Sequence, residues 1–237
     1  MAITYNGVGT ESHANNNSTT PGLPTHASGD LLVVLDLLRA TAETSAVTGY
    51  TQLATLSNTG TRITSFGKID GGAESGPTVT VSGTAGSHSS VMLSFDGTAT
   101  NLATAVHASA SAASGTSDNT IDYPALTITE PNTVVLLILG FNNDDDSAGQ
   151  TFDTPAGFTQ VGAYMTSLGA DQTIVVYYQI QTTATSISAG TVTRTAAGAT
   201  AVSGALIMSI LPAAVDGHPA ARRRGRNILG VENVRIY

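Results

Sequence analysis

The chain contains no cysteine and no tryptophan, and lysine occurs once, at Lys68. The absence of cysteine excludes a disulfide framework and any metal site built on thiolates. Only 11% of the 237 residues are charged, which is less than half of the usual share of about 25%. Because a surface this poor in charge is weakly protected against association, we expect neighbouring molecules to cover much of it.

Long hydrophobic runs are also absent. The longest apolar stretches have about 8 to 12 residues, well short of the roughly 20 that a membrane-spanning helix needs. The chain does not open with a basic segment followed by an apolar one, so we expect no signal peptide. These features predict a soluble protein that is made in the cytoplasm and has no membrane partner.

The motifs of common hydrolases and nucleotide-binding proteins are missing as well. The sequence has no Gly-x-Ser-x-Gly, His-Glu-x-x-His or Gly-x-x-x-x-Gly-Lys-Ser/Thr pattern. Isolated histidines in polar segments are usually solvated, so we predict no catalytic residue, no cofactor and no enzymatic activity. The five histidines are scattered, without metal-ligand spacing: His13, His26, His88, His107 and His218.

The acidic segment from Asn142 to Asp146 is the one constellation that could hold a hard cation. Calcium takes six to eight oxygen ligands, and such loops supply them. However, Asp144, Asp145 and Asp146 lack the spacing of an EF-hand and its distant bidentate glutamate. We therefore interpret the segment as a solvated loop between two strands and assign no metal ligand.

A short phrase that occurs twice reveals an internal duplication. It reads Gly-Tyr-Thr-Gln at residues 49–52 and Gly-Phe-Thr-Gln at residues 157–160, and each copy follows an apolar run. Further segments match in the same order, and their offset grows steadily, as expected for small loop insertions in the second copy. The matched pairs are Asp30 with Asn132 (102 apart), Gly49 with Gly157 (108), Ile69 with Ile180 (111), Thr78 with Thr191 (113) and Val91 with Leu206 (115).

Alternating apolar and hydroxyl side chains between Gly- and Asn-rich breaks predict antiparallel strands. The run Leu31–Leu38 has no such alternation, which favours a strand buried on both faces. Residues 9–29 are predicted to form a long loop or an arm on another surface, and residues 98–120 a connector with one helical turn near Leu102–His107. Predicted strands cover residues 3–8, 31–38, 50–56, 62–69, 78–82, 90–95, 121–129, 134–140, 158–165, 173–180, 191–195 and 205–211.

Ten to twelve strands can form two sandwiches in tandem or one larger sandwich. Aromatic residues are only 5% of the chain, so pooling the two half-cores buries more surface than keeping them apart. We therefore predict an all-β fold: one antiparallel, jelly-roll-like β-sandwich over residues 1–214, with each copy contributing strands to both sheets. The first repeat covers about residues 1–120 and the second about residues 121–214.

The aromatic residues of the duplicated phrase, Tyr50 and Phe158, lie at matched positions. This equivalence favours a structural role, as anchors where the loop re-enters the sandwich. A platform for sugar rings would need exposed aromatic residues clustered on one face. Because tryptophan is absent and tyrosine scarce, carbohydrate binding is the less favoured interpretation.

Charge divides the chain after Pro212. Residues 1–214 contain four basic and 15 acidic side chains, whereas residues 215–237 contain five and two, so the body carries a net charge of −11 and the end of the chain +3. The acidic body argues against nucleic-acid binding. For the arm, whose four arginines are clustered, nucleic-acid binding and a merely solvated tail both stay open as alternatives. An extended arm that docks by charge and then buries apolar side chains explains both of its halves. The predicted partner-binding residues are Arg222, Arg223, Arg224, Arg226, Ile228, Leu229, Val234, Ile236 and Tyr237.

The duplicated phrases, Gly-Asp-Leu-Leu-Val-Val with Gly-Tyr-Thr-Gln and Asn-Thr-Val-Val-Leu-Leu with Gly-Phe-Thr-Gln, resemble a broad group of Ala/Gly/Ser/Thr-rich β-sandwich modules. Such modules occur in virion proteins of tailed bacteriophages and in some bacterial surface proteins, and the likeness covers roughly residues 28–212. The resemblance implies a non-enzymatic virion protein, a capsid decoration protein or head fibre. A minor tail protein and a module for host-surface carbohydrate are the alternatives. Its expected partners are other virion proteins and copies of itself.

Overall fold

The computed structural model describes residues 2–39, 43–58, 60–83, 86–114, 119–142, 150–168, 171–195 and 202–213. These residues form 17 strands and one short helix, and the sheets are antiparallel and packed against each other. The predicted all-β sandwich class is therefore confirmed.

The strands of the first repeat follow the predicted order, with three short additions: two in the segment 9–29, which was predicted to be a loop or arm, and one at residues 45–47. They are β1 (Thr4–Val8), β2 (Ser12–Ala14), β3 (Ser18–Thr19), β4 (Leu31–Leu38), β5 (Ser45–Val47), β6 (Thr51–Asn58), β7 (Thr61–Ile69), β8 (Val79–Val81) and β9 (His88–Asp96).

The second repeat begins after helix α1 (Leu102–Ala105), a single turn whose N-cap, Asn101, accepts a hydrogen bond from the backbone of Ala103. This turn confirms the helical prediction. The strands that follow are β10 (Val106–Ser114), β11 (Thr120–Tyr123), β12 (Thr133–Asn142), β13 (Thr151–Phe152), β14 (Thr159–Thr166), β15 (Gln172–Gln181), β16 (Gly190–Thr195) and β17 (Val202–Ile210).

Each repeat forms a large sheet and a small sheet with the same strand order. The large sheets run β1-β9-β4-β7-β6, with β2 also paired to β9, and β10-β17-β12-β15-β14. The small sheets run β3-β8-β5 and β11-β16-β13. Because the chain passes back and forth between the two sheets of a repeat, each repeat has the connectivity of a jelly roll.

The sheets stack in four layers around three apolar cores. The central core lies between the two large sheets and takes side chains such as Leu35 and Leu93 from one and Leu136 and Met208 from the other. Each large sheet also packs its opposite face on the small sheet of its own repeat, around Phe66 in the first repeat and around residues such as Phe141 and Tyr177 in the second. The two jelly rolls are thus joined back to back through their large sheets.

This arrangement explains why the central strands lack an alternating pattern. All residues of Leu31–Leu38 in β4 and of Thr133–Asn142 in β12 are buried, because each strand contributes side chains to a central and an outer core. The prediction of a strand buried on both faces is confirmed. The prediction that the two copies share the same two sheets is wrong, since each of the four sheets is built by one repeat.

In the central strands β4 and β12, the structure aligns the two repeats one residue differently from the sequence comparison. Leu31 lies opposite Phe95, and Val134 lies opposite the equivalent Ile210, so the offset between β4 and β12 is 103. The sequence comparison, which pairs Asp30 with Asn132, gives an offset of 102. A one-residue change moves every side chain to the other face of a sheet, and only the structure separates the two choices where both faces are apolar.

Strand β10 is the main element that the sequence does not predict. Its residues are mostly alanine and serine, so it offers neither large apolar side chains nor a turn signal. It pairs with β17 over eight residue pairs and forms an edge of the second large sheet. The second repeat therefore starts near Val106, although the sequence analysis places residues up to 120 in the first.

Contacts across the central core join the two repeats into one body. The rings of Tyr5 and Tyr178 stack with centroids 4.6 Å apart. Gln172 donates its side-chain amide to the Leu37 carbonyl at 2.6 Å, and the Thr61 hydroxyl donates to the Val202 carbonyl at 3.1 Å.

Candidate functional site

The predicted attachment arm lies outside the described residues, which end at Ala213. This applies to all nine of the predicted partner-binding residues: Arg222, Arg223, Arg224, Arg226, Ile228, Leu229, Val234, Ile236 and Tyr237. The point where the arm leaves the body is well defined, however. Leu211 donates its backbone N–H to the Ala105 carbonyl at 2.8 Å, and Ala213 donates to the Gly97 carbonyl at 2.7 Å. The chain is therefore held to the body up to residue 213, two residues before the arm begins.

The acidic segment lies largely outside the described residues too, because only its first residue, Asn142, is included. The side chain of Asn142 donates to the hydroxyl of Thr61 at 2.8 Å and to the carbonyl of Gly60. Asn142 thus ties the end of β12 to the β6–β7 turn of the other repeat and is committed to the fold. The predictions for Asp144, Asp145 and Asp146 stay predictions.

The prediction that the histidines are solvated is wrong for His88. Its side chain is completely buried in β9, and its Nε2 lies 2.6 Å from Oδ1 of the equally buried Asp36 in β4. Two others lie near the surface: His13 pairs with the Ser89 hydroxyl at 2.9 Å and His107 with the Thr129 hydroxyl at 2.8 Å. The signal that sequence reasoning missed was Asp36, a carboxylate inside an apolar run that must find a partner.

The polar cluster around His88 is a structural network, although its residue types match a hydrolase. Asp36 also accepts a hydrogen bond from the Ser45 hydroxyl, and the Thr19 hydroxyl lies 3.2 Å from His88 Nε2. A nucleophile, base and acid relay needs the two partners on opposite ring nitrogens. Here the carboxylate and the threonine share Nε2, and Nδ1 has no hydrogen-bond partner within the described part of the chain.

The second repeat has apolar side chains at three of the four corresponding positions. By strand register the counterparts of Asp36, Ser45 and Thr19 are Leu139, Phe152 and Ile121, and all three belong to the outer core of that repeat. The counterpart of His88 is the buried Ser203, since His88 lies opposite Leu38 and Ser203 lies opposite the equivalent Phe141. The second repeat therefore folds without a buried carboxylate–histidine pair at this place.

The duplicated phrase forms the same turn twice. Gly49 and Gly157 have φ of +81° and +83°, the left-handed region that glycine adopts without strain. The next residue closes each turn: Tyr50 donates its N–H to the Val47 carbonyl at 3.1 Å, and Phe158 donates to the Pro155 carbonyl at 3.0 Å. Both aromatic rings pack on the outer core of their repeat, which confirms their prediction as anchors.

Beside the turn of the first repeat lies a group of charged side chains that we call the ion cluster: Lys68, Glu74, Asp70 and His26. Lys68 Nζ lies 2.6 Å from Glu74 Oε2 and 5.6 Å from the centroid of the Tyr50 ring. The hydrogen bond from Lys68 lowers the pKa of Glu74, so the pair stays ionised. Asp70 is buried, with Oδ2 3.8 Å from His26 Nε2.

At the corresponding place in the second repeat the structure has a cavity of about 360 Å³, which we call the turn cavity. It is bordered by the aromatic residues Tyr123 and Phe158, by the amides of Gln179 and Gln181, and by residues 185–189 together with Ala156. Gln179 is the counterpart of Lys68, since they lie opposite Val135 and Leu32 in equivalent strands. No residue that borders the turn cavity carries a charge.

A second cavity, of about 510 Å³, lies where the body ends, between α1, the start of β12 and residues 211–213. Within the described ranges, histidine, aspartate and glutamate side chains nowhere form a group of three or more that could hold a metal ion. In the same part of the chain, no helix has the length and apolar character needed to cross a membrane.

Sequence reasoning missed the turn cavity because the residues that border it come from three separate segments, around residues 123, 156–158 and 179–189. When the two repeats are aligned, Lys68 and Tyr50 of the first copy correspond to Gln179 and Phe158 of the second. The first copy therefore carries a charge at this place where the second has a neutral amide. Comparisons with protein-family models, with curated protein sequences and with solved structures found no match to this chain.

Proposed function

We propose that this chain is a non-enzymatic structural protein of a bacteriophage virion, which decorates the capsid and is fastened to a neighbouring virion protein through residues 215–237. The observation that carries the proposal is the opposite net charge of the body and the arm. A body of net charge −11 is followed by an arm of +3, and hydrogen bonds hold Leu211 and Ala213, shortly before the arm, to the rest of the body.

The surface of the body supports attachment through the arm. Among the described residues, the large hydrophobic side chains that are exposed are Leu168 (49%) and Ile180 (38%), too few for a stable apolar interface. Stable interfaces bury about 800 Å² on each partner and have an apolar centre. The apolar side chains at the end of the chain, from Ile228 to Tyr237, can supply such a centre.

The arginines suit the first step of docking. A guanidinium group binds carboxylates in a bidentate fashion, so a cluster of four arginines fits an acidic patch on the partner. Opposite charge speeds association and sets the orientation, and burial of the apolar residues then retains the arm. An acidic body would repel nucleic acid, and its charge is opposite to that of the arm, so the arm can bind either an acidic neighbouring protein or the acidic body of another copy.

Deletion of residues 216–237 tests the proposal. The expected product is a folded body that no longer joins particles, because the residues described in the three cores all come before 214. Immunogold labelling and mass spectrometry of purified particles measure incorporation, and circular dichroism checks the fold. Retention of the truncated protein in particles overturns the anchoring role.

A charge variant separates the two halves of the arm. Replacing Arg222, Arg223, Arg224 and Arg226 by glutamine keeps its length and apolar end, and we expect slower, salt-insensitive incorporation. Gold label on the head agrees with decoration, whereas label on the tail identifies a minor tail protein. Absence of the full-length protein from particles rejects a virion role altogether.

A further inference from the structure

We propose that the turn cavity of the second repeat binds one neutral sugar unit of a glycan. Its volume of about 360 Å³ lies at the small end of the range of about 300–1,000 Å³ that ligand pockets occupy. The space suits a single pyranose ring better than a nucleotide or a folded peptide. The inference stands apart from the virion proposal, because each can fail while the other holds.

The polar groups around the cavity are neutral and of both hydrogen-bonding types. The amides of Gln179 and Gln181 offer donors and acceptors, and the hydroxyls of Thr185, Ser186 and Ser188 can do either. A charged ligand would find no counter-ion among these side chains. Sugar hydroxyls, which donate and accept, match such a lining.

Gln179 has an unmet acceptor. Its amide packs against Gly157, where a Cβ atom would lie 2.6 Å from Nε2, and its Oε1 is buried without a hydrogen-bond partner within the described part of the chain. Leaving such an atom unpaired costs free energy that a bonded ligand would recover. The terminal torsion of a glutamine is broad, so a small rotation turns the amide toward the cavity.

Two aromatic side chains provide an apolar wall. Tyr123 lies opposite Gly190 in the β11–β16 pair, and a Cβ atom at Gly190 would clash with the tyrosine hydroxyl, so this glycine makes room for the ring. Phe158 closes the repeated turn at the other side. The C–H face of a pyranose is apolar and packs on such rings, while its hydroxyls reach the amides.

Charged side chains occupy the corresponding place in the first repeat. There Lys68 bonds to Glu74 and lies over the Tyr50 ring. In the second repeat the counterparts of Lys68 and Tyr50 are the uncharged Gln179 and Phe158, and Ile180 and Val192 are 12 positions apart, whereas the equivalent Ile69 and Val79 are 10 apart. The turn is present in both copies, and the turn cavity lies beside the second.

Saturation-transfer NMR with the full chain tests the proposal, using a panel of neutral hexoses, N-acetylhexosamines and their short oligomers. We expect saturable binding of at least one of them at millimolar concentrations. Gln179→Ala should weaken it about tenfold or more. Gln52→Ala, the same change at an exposed position of the first repeat, should leave it unchanged.

A second variant covers the case in which Gln179→Ala fails to fold. Ser188 is exposed at the cavity wall, so Ser188→Tyr should block the cavity without disturbing the core. Loss of binding in Ser188→Tyr supports the site. The proposal is overturned if no neutral sugar binds saturably, if binding survives Ser188→Tyr, or if sugars with a carboxylate bind more tightly than neutral ones.

Discussion

Lys68 and Gln179 occupy the same place in the two halves of the molecule, and each side chain lies beside the glycine of the duplicated turn. In the first half the ammonium group is held by Glu74 at 2.6 Å. In the second half the amide borders a cavity and keeps an unpaired oxygen. A substitution in one half can therefore be compared with the same substitution at the equivalent residue of the other half.

Gly157→Ala should destabilise the protein more than Gly49→Ala. Both glycines have positive φ, which costs an alanine about 1–2 kcal/mol. At Gly157 the new methyl group would also lie 2.6 Å from Gln179 Nε2, whereas at Gly49 the nearest atom, Lys68 Nζ, is 3.9 Å away. Urea unfolding measures both losses. Gly71→Ala, at an exposed glycine without positive φ, should change stability by less than about 0.5 kcal/mol.

A substitution at the centre of the shared core should reveal coupling between the repeats. Leu37 and Gly140 are equivalent residues, and a Cβ atom at Gly140 would lie 2.5 Å from Leu37 Cδ1 and 3.2 Å from Ile63 Cδ1. We expect Gly140→Ala to cost about 1–3 kcal/mol through overpacking. In a Leu37→Ala background the same change should cost less, because the methyl group then enters vacated space.

The double-mutant cycle of Leu37 and Gly140 measures this coupling from the free energies of unfolding of the four proteins. Strictly additive losses would contradict the contact between the two large sheets. Two separate unfolding transitions would show that the repeats unfold independently.

Much of the fold was predictable because alternation and turn chemistry mark most strands. Leu31–Leu38 was placed with its observed bounds, and the duplicated turn was found from four residues. The register of that strand was not predictable to one residue, since leucine and valine on both faces remove the alternation that specifies it. The sequence does not predict strand β10, because alanine and serine are compatible with several secondary structures. Pairing with β17 is what makes these residues a strand.

The site was less predictable than the fold. The sequence showed that Lys68 and Gln179 correspond, but a cavity depends on how residues 185–189 pack against them. The buried pair of Asp36 and His88 could have been inferred in part, because a carboxylate within an apolar strand needs a partner. Which of the five histidines would meet it depends on the pairing of β4 with β9.

Removal of His88 should be more harmful than removal of both members of its pair. Among the described residues, His88→Leu leaves the buried Asp36 with the Ser45 hydroxyl alone, and breaking a buried pair in this way costs about 3–5 kcal/mol. The double variant Asp36→Leu with His88→Leu removes both members of the pair and places leucine where the second repeat has Leu139, so it should lose less.

Guanidinium unfolding of the single and double variants compares these losses. His13→Leu is the control, since His13 lies near the surface and its one hydrogen bond, to Ser89, is worth about 1 kcal/mol. A double variant less stable than His88→Leu would show that the polar cluster stabilises the fold in its own right.

Tyr50→Phe should leave stability at pH 7 unchanged or slightly higher, and should weaken the response to alkali. The Tyr50 hydroxyl is buried without a hydrogen-bond partner among the described residues, and Phe158 shows that the turn accepts phenylalanine. Burial, and then the charges of Glu74 and Asp70, raise the pKa of Tyr50 from 10.0 to about 12. In the unfolded chain the hydroxyl ionises at the lower value, so below pH 10 both states keep the proton and the ionisation does not lower stability.

As the pH rises from 10 to 12, the unfolded state loses its proton first and the stability falls. Urea unfolding across this range should show that the stability of Tyr50→Phe falls less steeply with pH than that of the unchanged protein. Part of the fall that remains is due to Tyr5 and Tyr164, because burial also raises their pKa values to about 12. Tyr177→Phe is the matched control, because the Tyr177 hydroxyl donates to the Asp153 carbonyl at 2.9 Å. Its removal should cost about 1 kcal/mol at pH 7, and an equal loss in Tyr50→Phe would mean that the Tyr50 hydroxyl is bonded after all.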